Sequence, residues 1–346
     1  MRVKEGLALV RKGLWPLSLL YGTAMAGRNW LFDLGLRKVQ GVELPVVSVG
    51  NLAAGGTGKT PLVVWLVDLL RSHGLRPGVL ARGYGRRPGD QWNDEGCLLA
   101  RRFPDLCQVQ DEDRVAGARR LAALGVDLIV IDDGFQHRRL RRDCDIVCLD
   151  MEKPFAGGML PSGLLREFPR GLRRAHAIVL TRAGGFTDQV VQERMASLAA
   201  CGSEGLQVFA SDHVPARLVE MPVGTELSLS DLENARVHLL SSIARPAVFE
   251  ATIRDLGAEV VAHTMRQDHY HHTQEELEAA ATAAEADGAM LVTTEKDDVK
   301  LEEMPIRRWV LEVDLEFLGV APGLELLGVE PRLPDPRPRA SWIRSD

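Results

Sequence analysis

This 346-residue chain has few cysteines, no long apolar run and no surplus of positive charge, and each absence closes off a class of protein. The five cysteines (Cys97, Cys107, Cys144, Cys148, Cys201) are odd in number and form no Cys-x-x-Cys pair. A closed disulfide framework is therefore excluded, and a reducing cytosol is the simplest compartment. His269, His271 and His272 crowd together, yet no cysteine pair or His-Glu-x-x-His spacing accompanies them, so a zinc site is not expected. The uncharged stretch from Gly13 to Gly27 is 15 residues long and is interrupted by Pro16, whereas a spanning helix needs roughly 20 apolar residues. No small-x-small cleavage site follows it, which argues against a signal peptide. A net charge of -6 offers no basic face for displacing counterions, so nucleic acid is not expected as a partner. There is no internal repeat.

What is present begins with a strand that runs into glycines. Val46-Val47-Ser48-Val49-Gly50 leads through Asn51-Leu52-Ala53-Ala54 to Gly55-Gly56-Thr57-Gly58-Lys59-Thr60, the ingredients of a nucleotide phosphate cradle. Glycines let backbone N–H groups converge on phosphate oxygens, Lys59 adds a point charge, and the Thr60 hydroxyl can ligate Mg²⁺. Strict Walker A spacing would put glycine at position 53, where this chain has alanine. An amphipathic helix follows, with Leu62, Trp65, Leu66, Leu69 and Leu70 on one face. These residues point to ATP or GTP.

Beyond the loop, short apolar runs alternate with helical stretches: 78–81, a helix over 114–124, then 128–131, 146–149 and 177–181. This alternation predicts a P-loop NTPase-like, doubly wound, mostly parallel α/β sheet over residues 37–215. A second, smaller α/β domain is expected over 216–330, after a polar connection. It has strands near 237–240, 259–261, 290–293 and 307–313, a helix around 247–256, and another over 275–287 with Thr273 and Glu276 as a capping box. The tail 331–346 carries prolines at 331, 334, 336 and 338 and reads as extended. Residues 1–36 form a segment of their own. Within residues 1–40, seven basic side chains (Arg2, Lys4, Arg11, Lys12, Arg28, Arg37, Lys38) face two acidic ones (Glu5, Asp33), among large apolar residues such as Trp15, Leu20 and Trp30. Either a helical pair covering the nucleotide domain or a surface lying in the headgroup layer of a membrane fits this composition.

Leu128-Ile129-Val130-Ile131-Asp132-Asp133 sets two carboxylates at the end of a buried strand, where a P-loop fold needs an acid for Mg²⁺ or its water. The run Asp132-Asp133-Gly134-Phe135-Gln136-His137-Arg138 resembles the signature of the bacterial tetraacyldisaccharide 4'-kinases, the lipid A 4'-kinases. The resemblance extends to 48–61, to Arg82-Gly83-Tyr84-Gly85, to Leu160-Pro161-Ser162-Gly163-Leu164-Leu165-Arg166-Glu167, to Asp268-His269-Tyr270 and to Thr294-Glu295-Lys296-Asp297, in the family's order. In that family position 53 is likewise not glycine.

The resemblance implies transfer of the ATP γ-phosphate to the 4'-hydroxyl of a tetraacyldisaccharide 1-phosphate, giving lipid IVA at the cytoplasmic face of the bacterial inner membrane. It implies Asp94 as the base, although Asn93-Asp94-Glu95-Gly96 departs from the family's Gly-Asp-Glu-Pro; a loop carboxylate without a role is the alternative. His269 would orient or tune Asp94 from the second domain, with domain closure assembling the pair. Thr60, Asp132, Asp133 and Glu167 would serve Mg²⁺. Arg166 would meet a phosphate, unless it and Glu167 are a plain solvated pair. Asp113 reads as an N-cap. A lipid substrate accounts for the basic, Trp-bearing first 36 residues, which would dock peripherally at the membrane surface. Two other readings compete. One is a deviant P-loop nucleotide-switch ATPase or GTPase, which typically carries a second lysine early in the loop where this chain has Ala53 and Ala54. The other is a soluble small-molecule kinase or ligase.

Overall fold

The computed structural model describes residues 13–87, 89–301 and 304–327. The first twelve residues of the basic segment and the Pro-rich tail 331–346 lie outside the described residues. A helix, α1 (Trp15–Asp33), precedes the first strand, β1 (Val46–Gly50). Then follow α2 (Lys59–Ser72), β2 (Pro77–Ala81), α3 (Asp94–Arg102), β3 (Cys107–Gln110), α4 (Arg114–Ala123), β4 (Leu128–Asp132), β5 (Cys144–Asp150), β6 (Ala177–Thr181) and α5 (Asp188–Ala199). The second lobe follows with β7 (Gln207–Met221), β8 (Thr225–Leu227), β9 (Arg236–Ser241), α6 (Pro246–Asp255), β10 (Glu259–Met265), α7 (Gln274–Ala286), β11 (Met290–Thr294), the one-turn α8 (Glu295–Asp298) and β12 (Arg308–Phe317), and α9 (Leu324–Leu327) returns to the core of the first.

These strands form one sheet in the order β10-β9-β11-β12-β7-β6-β5-β1-β4-β2-β3, with β8 on β7. The boundary expected at 215/216 falls inside β7. Residues 207–210 of that strand run parallel to β6, while 211–221 pair antiparallel with β12. The expected polar connection is thus a long two-stranded ribbon that carries the sheet from one lobe into the other. Apart from this ribbon and β8, every pairing is parallel, as helix-covered sheets require.

Burial explains the central strands. Val46, Val47 and Val49 of β1 are sealed, as are Leu128 to Ile131 of β4, so these runs are apolar on both faces rather than alternating. On one face α2 lays Leu62, Val63, Leu66, Val67 and Leu70 against the sheet. Trp65 of the same helix meets Phe317 of β12, ring centroids 4.7 Å apart, so the second lobe's last strand rests on the helix that starts at the phosphate loop. The capping box of Thr273 and Glu276 forms as expected at α7, and Asp113 caps α4.

The N-terminal segment is one helix in its described part. Its buried stripe is made of Ser18, Gly22 and Phe32, residues four or more apart on one face. Gly22 permits the close approach, since a Cβ there would lie 2.7 Å from the Phe168 ring. Large apolar residues stay outside this contact, with Trp15 64%, Leu20 66% and Trp30 60% exposed.

Candidate active site

The loop after β1 turns through two left-handed glycines, Gly55 and Gly58, before α2 begins. Gly58, the N-cap of α2, has φ +84°, and a Cβ on it would stand 2.8 Å from the His213 ring. The loop is braced from several sides. Ala54 N donates to Leu164 O at 2.8 Å, Asn51 Nδ2 donates to Thr57 Oγ1 at 2.9 Å, and the Thr57 carbonyl accepts from Thr181 Oγ1. Arg182 donates to Gly56 O while gripping Asp150, which Arg245 of the second lobe also reaches at 2.8 Å. The start of α2, which no side chain caps, is thereby held in the arrangement by which helix N-termini receive anions.

At the end of β4 the two carboxylates differ. Asp133 sits in a left-handed turn (φ +56°), its Oδ1 3.5 Å from Lys59 Nζ and its Oδ2 2.7 Å from Arg166. Burial alone would raise its pKa, but these two cations outweigh it and hold the carboxyl below its usual range. Asp132 Oδ1 is sealed from solvent without a partner. Burial pushes that carboxyl up to about 7, against the pull of Lys59, and Glu95 and Asp133 add repulsion. An orphaned buried carboxylate oxygen beside a lysine and a second carboxylate suits a divalent cation, whose charge would relieve the desolvation.

Of the four expected metal ligands, Asp133 is held by Lys59 and Arg166, and Glu167 has both carboxylate oxygens taken by other side chains. Its Oε2 accepts from Asn29 and Arg174 and its Oε1 from Gln136, and the residue is buried. It joins α1 to the strand-end loops. Nor is the Arg166–Glu167 pair a solvated one, since Arg166 turns to Asp133 instead.

Asp94 opens a helix rather than lying in a loop. Asn93 caps α3 by accepting from Gly96 N, so the departure from the family's flanking residues leaves a well-formed N-terminus with Asp94 in its first turn. From the other lobe, His269 donates to Asp94 Oδ2 across 2.9 Å between Nδ1 and the carboxylate. The His269 backbone is left-handed (φ +62°), tied by its N–H to Ser242 O, a strained conformation of the kind found at functional sites. Burial works to raise the Asp94 pKa, but the His269 hydrogen bond and then Lys300 bring it below the ordinary value. The same bond raises that of His269. Closure was expected to assemble this pair; in the structure it is already formed.

The phosphate loop, Asp132, Asp133 and Asp94 all stand beyond the carboxyl ends of β1, β4 and β2, and His269 beyond that of β10, where open α/β sheets bind ligands. The tetraacyldisaccharide-1-P 4'-kinase family model, LpxK, matches residues 10–327. A tetraacyldisaccharide 4'-kinase of Anaeromyxobacter sp. (strain Fw109-5) is 41% identical over 87% of this chain and 85% of its own. One from Syntrophus aciditrophicus (strain SB) is 36% identical over 83% of each. Among solved structures, the "apo" form of LpxK from Aquifex aeolicus in complex with ATP matches with a TM-score of 0.71 and 30% identity, over 90% of this chain and 96% of that one. This chain belongs to the tetraacyldisaccharide 4'-kinase family.

Membership in that kinase family leaves the nucleotide-switch reading unfavoured. Several groups that brace this site carry no sequence signal: Arg101 and Arg102 at the far end of α3, Arg182 and Asp150 behind the loop, and Lys300 behind His269. Isolated charged residues carry no motif. Their partners are distant in sequence, as with Arg102, whose guanidinium binds Glu295 at 2.6 Å and Asp314 at 2.8 Å.

Proposed function

We propose that this chain transfers the γ-phosphoryl group of ATP to the 4'-hydroxyl of a tetraacyldisaccharide 1-phosphate. The observation that carries the reading is the Asp94–His269 pair, formed across two lobes on the strand-end side that also holds Lys59, Asp132 and Asp133. Phosphoryl transfer needs positioning, charge neutralisation and a group to take the hydroxyl proton. Gly55, Gly56, Thr57 and Gly58 turn backbone N–H groups toward the phosphates, and Lys59 places a cation beside them. Thr60, Asp132 and Asp133 would hold Mg²⁺, which when bound offsets the charge on the phosphate oxygens. Asp94, ionised and oriented by His269, accepts the proton of the acceptor hydroxyl.

The acceptor's acyl chains favour a protein that works at a membrane surface. Among the described residues no helix is long and apolar enough to cross a membrane. The outward face of α1, with Trp15, Leu17, Leu19, Leu20 and Trp30 exposed, suits a helix lying in the headgroup layer. We place it at the cytoplasmic face of the inner membrane, where ATP is available. The test is to incubate the protein with γ-labelled ATP, Mg²⁺ and the disaccharide lipid in mixed micelles. Label recovered in a 4'-phosphorylated lipid supports the reading. ATP consumption that needs a partner protein and no lipid acceptor contradicts it.

A further inference from the structure

His269 has a second neighbour that the proton-transfer reading does not use. Lys296 Nζ lies 3.3 Å from His269 Nε2 and 3.3 Å from Asp268 Oδ1. An ammonium has donors and no acceptor. A hydrogen bond between Lys296 and Nε2 therefore requires a lone pair on that nitrogen, which leaves the ring proton on Nδ1, facing Asp94 Oδ2 at 2.9 Å. Resting on the kinase reading above, we infer that Lys296 is a positioning residue that fixes the tautomer of His269, so that Asp94 always meets an N–H and keeps its other oxygen for the acceptor hydroxyl.

The surroundings of Lys296 support the assignment. It stands on α8, a single turn capped by Thr294, whose Oγ1 accepts from Asp297 N. Every neighbour of Lys296 on that turn grips a different part of the site. Glu295 holds Arg102 and Asp298 holds Arg101, both at the C-terminal end of α3, the helix that begins at Asp94. Asp297 accepts from Ser242 N at 2.9 Å and from Lys300 at 2.6 Å, and Ser242 O in turn holds the His269 backbone. One four-residue helix thus sets the position of both members of the pair, and Lys296 is the member of it that reaches the imidazole. The charged groups facing His269 are Asp94 and Glu95 from α3, Asp268 from its own loop and Lys296 from α8. Of these only Lys296 opposes a second proton on the ring.

The test uses the full chain labelled with ¹⁵N-histidine, His269→Gln assigning the signal, alongside Lys296→Met and Lys296→Arg. The expected wild-type spectrum above the ring's pKa shows Nδ1 protonated and Nε2 bare. In Lys296→Met the acid limb of kcat should move up by about one pH unit, so that turnover falls about tenfold at the acid end and little on the alkaline plateau. The KM for ATP should not change, and Lys296→Arg should restore most of the profile. A wild-type ring protonated on Nε2 overturns the inference, as does a Lys296→Met profile that is merely scaled down at every pH. The tautomer is read without turnover, so a failure of the lipid-kinase reading would be seen separately, as no labelled lipid from the wild-type protein.

Discussion

The two lobes deliver charge to the cleft by different means. The first lobe works mainly through backbone: Gly58, in a conformation closed to side chains, and a helix N-terminus bring N–H groups forward, with Lys59 and Arg166 as cations around Asp133. The second lobe works through side chains, using buried ion pairs centred on α8 to hold Asp94 and His269 in register. A backbone cradle is specified by local sequence and is hard to mistune. A side-chain network spans residues as far apart as Arg102 and Asp314, and depends on every partner being present.

Perturbations should separate these modes. The largest effect is expected for Lys59→Ala, which should lower kcat by about a hundredfold to a thousandfold, in a labelled-ATP assay on protein with an unchanged melting temperature. Asp94→Asn should cost about a hundredfold in kcat while ATP affinity, measured by titration calorimetry, stays the same. Arg102→Met should act on stability. It strands Glu295 as a buried carboxylate, Glu312 keeping Arg217 as its partner, and should cost about 3–5 kcal/mol in denaturant melts. Burial already raises the Glu295 pKa, and Arg102 pulls it down. Without Arg102 it rises further, so Glu295 takes up a proton as pH falls and the loss should be smaller in acid than at neutral pH. For His269, whose bond to Asp94 raises its pKa, wild-type turnover should rise with pH through a limb above the ordinary histidine value of about 6.5; His269→Gln should remove that limb. The smallest effect on the folded protein is expected at α1. Replacing Trp15 and Leu20 with serine should leave stability within about 0.5 kcal/mol yet weaken vesicle binding about tenfold.

The same contrast governs what could be read from the chain. The phosphate loop, the strand ending at Asp132 and Asp133, and the parallel sheet were legible because each rests on neighbouring residues with a fixed period or spacing. The β7–β12 ribbon was not: residues 207–221 alternate irregularly and include Pro215, so the strand read as a connection, and only pairing with β12 makes it continuous. The role of Asn93 as cap was hidden by comparison with the family's glycine, though Asn-Asp-Glu is itself a helix-start pattern. Glu167 looked available from its place beside Arg166. Its three partners, Asn29, Gln136 and Arg174, come from separate parts of the chain.

The central claim is that one cleft, shared by the two lobes, carries a proton-accepting pair and a phosphate cradle that serve the same transfer. Its most direct test is a single-turnover measurement with ATP prebound, comparing wild type with Asp94→Asn and His269→Gln on the disaccharide lipid. Full ATP occupancy is expected in all three proteins, with transfer slowed by about a hundredfold in the Asp94 variant and a smaller loss and an altered pH profile in the His269 variant. Transfer at the wild-type rate in Asp94→Asn would contradict it.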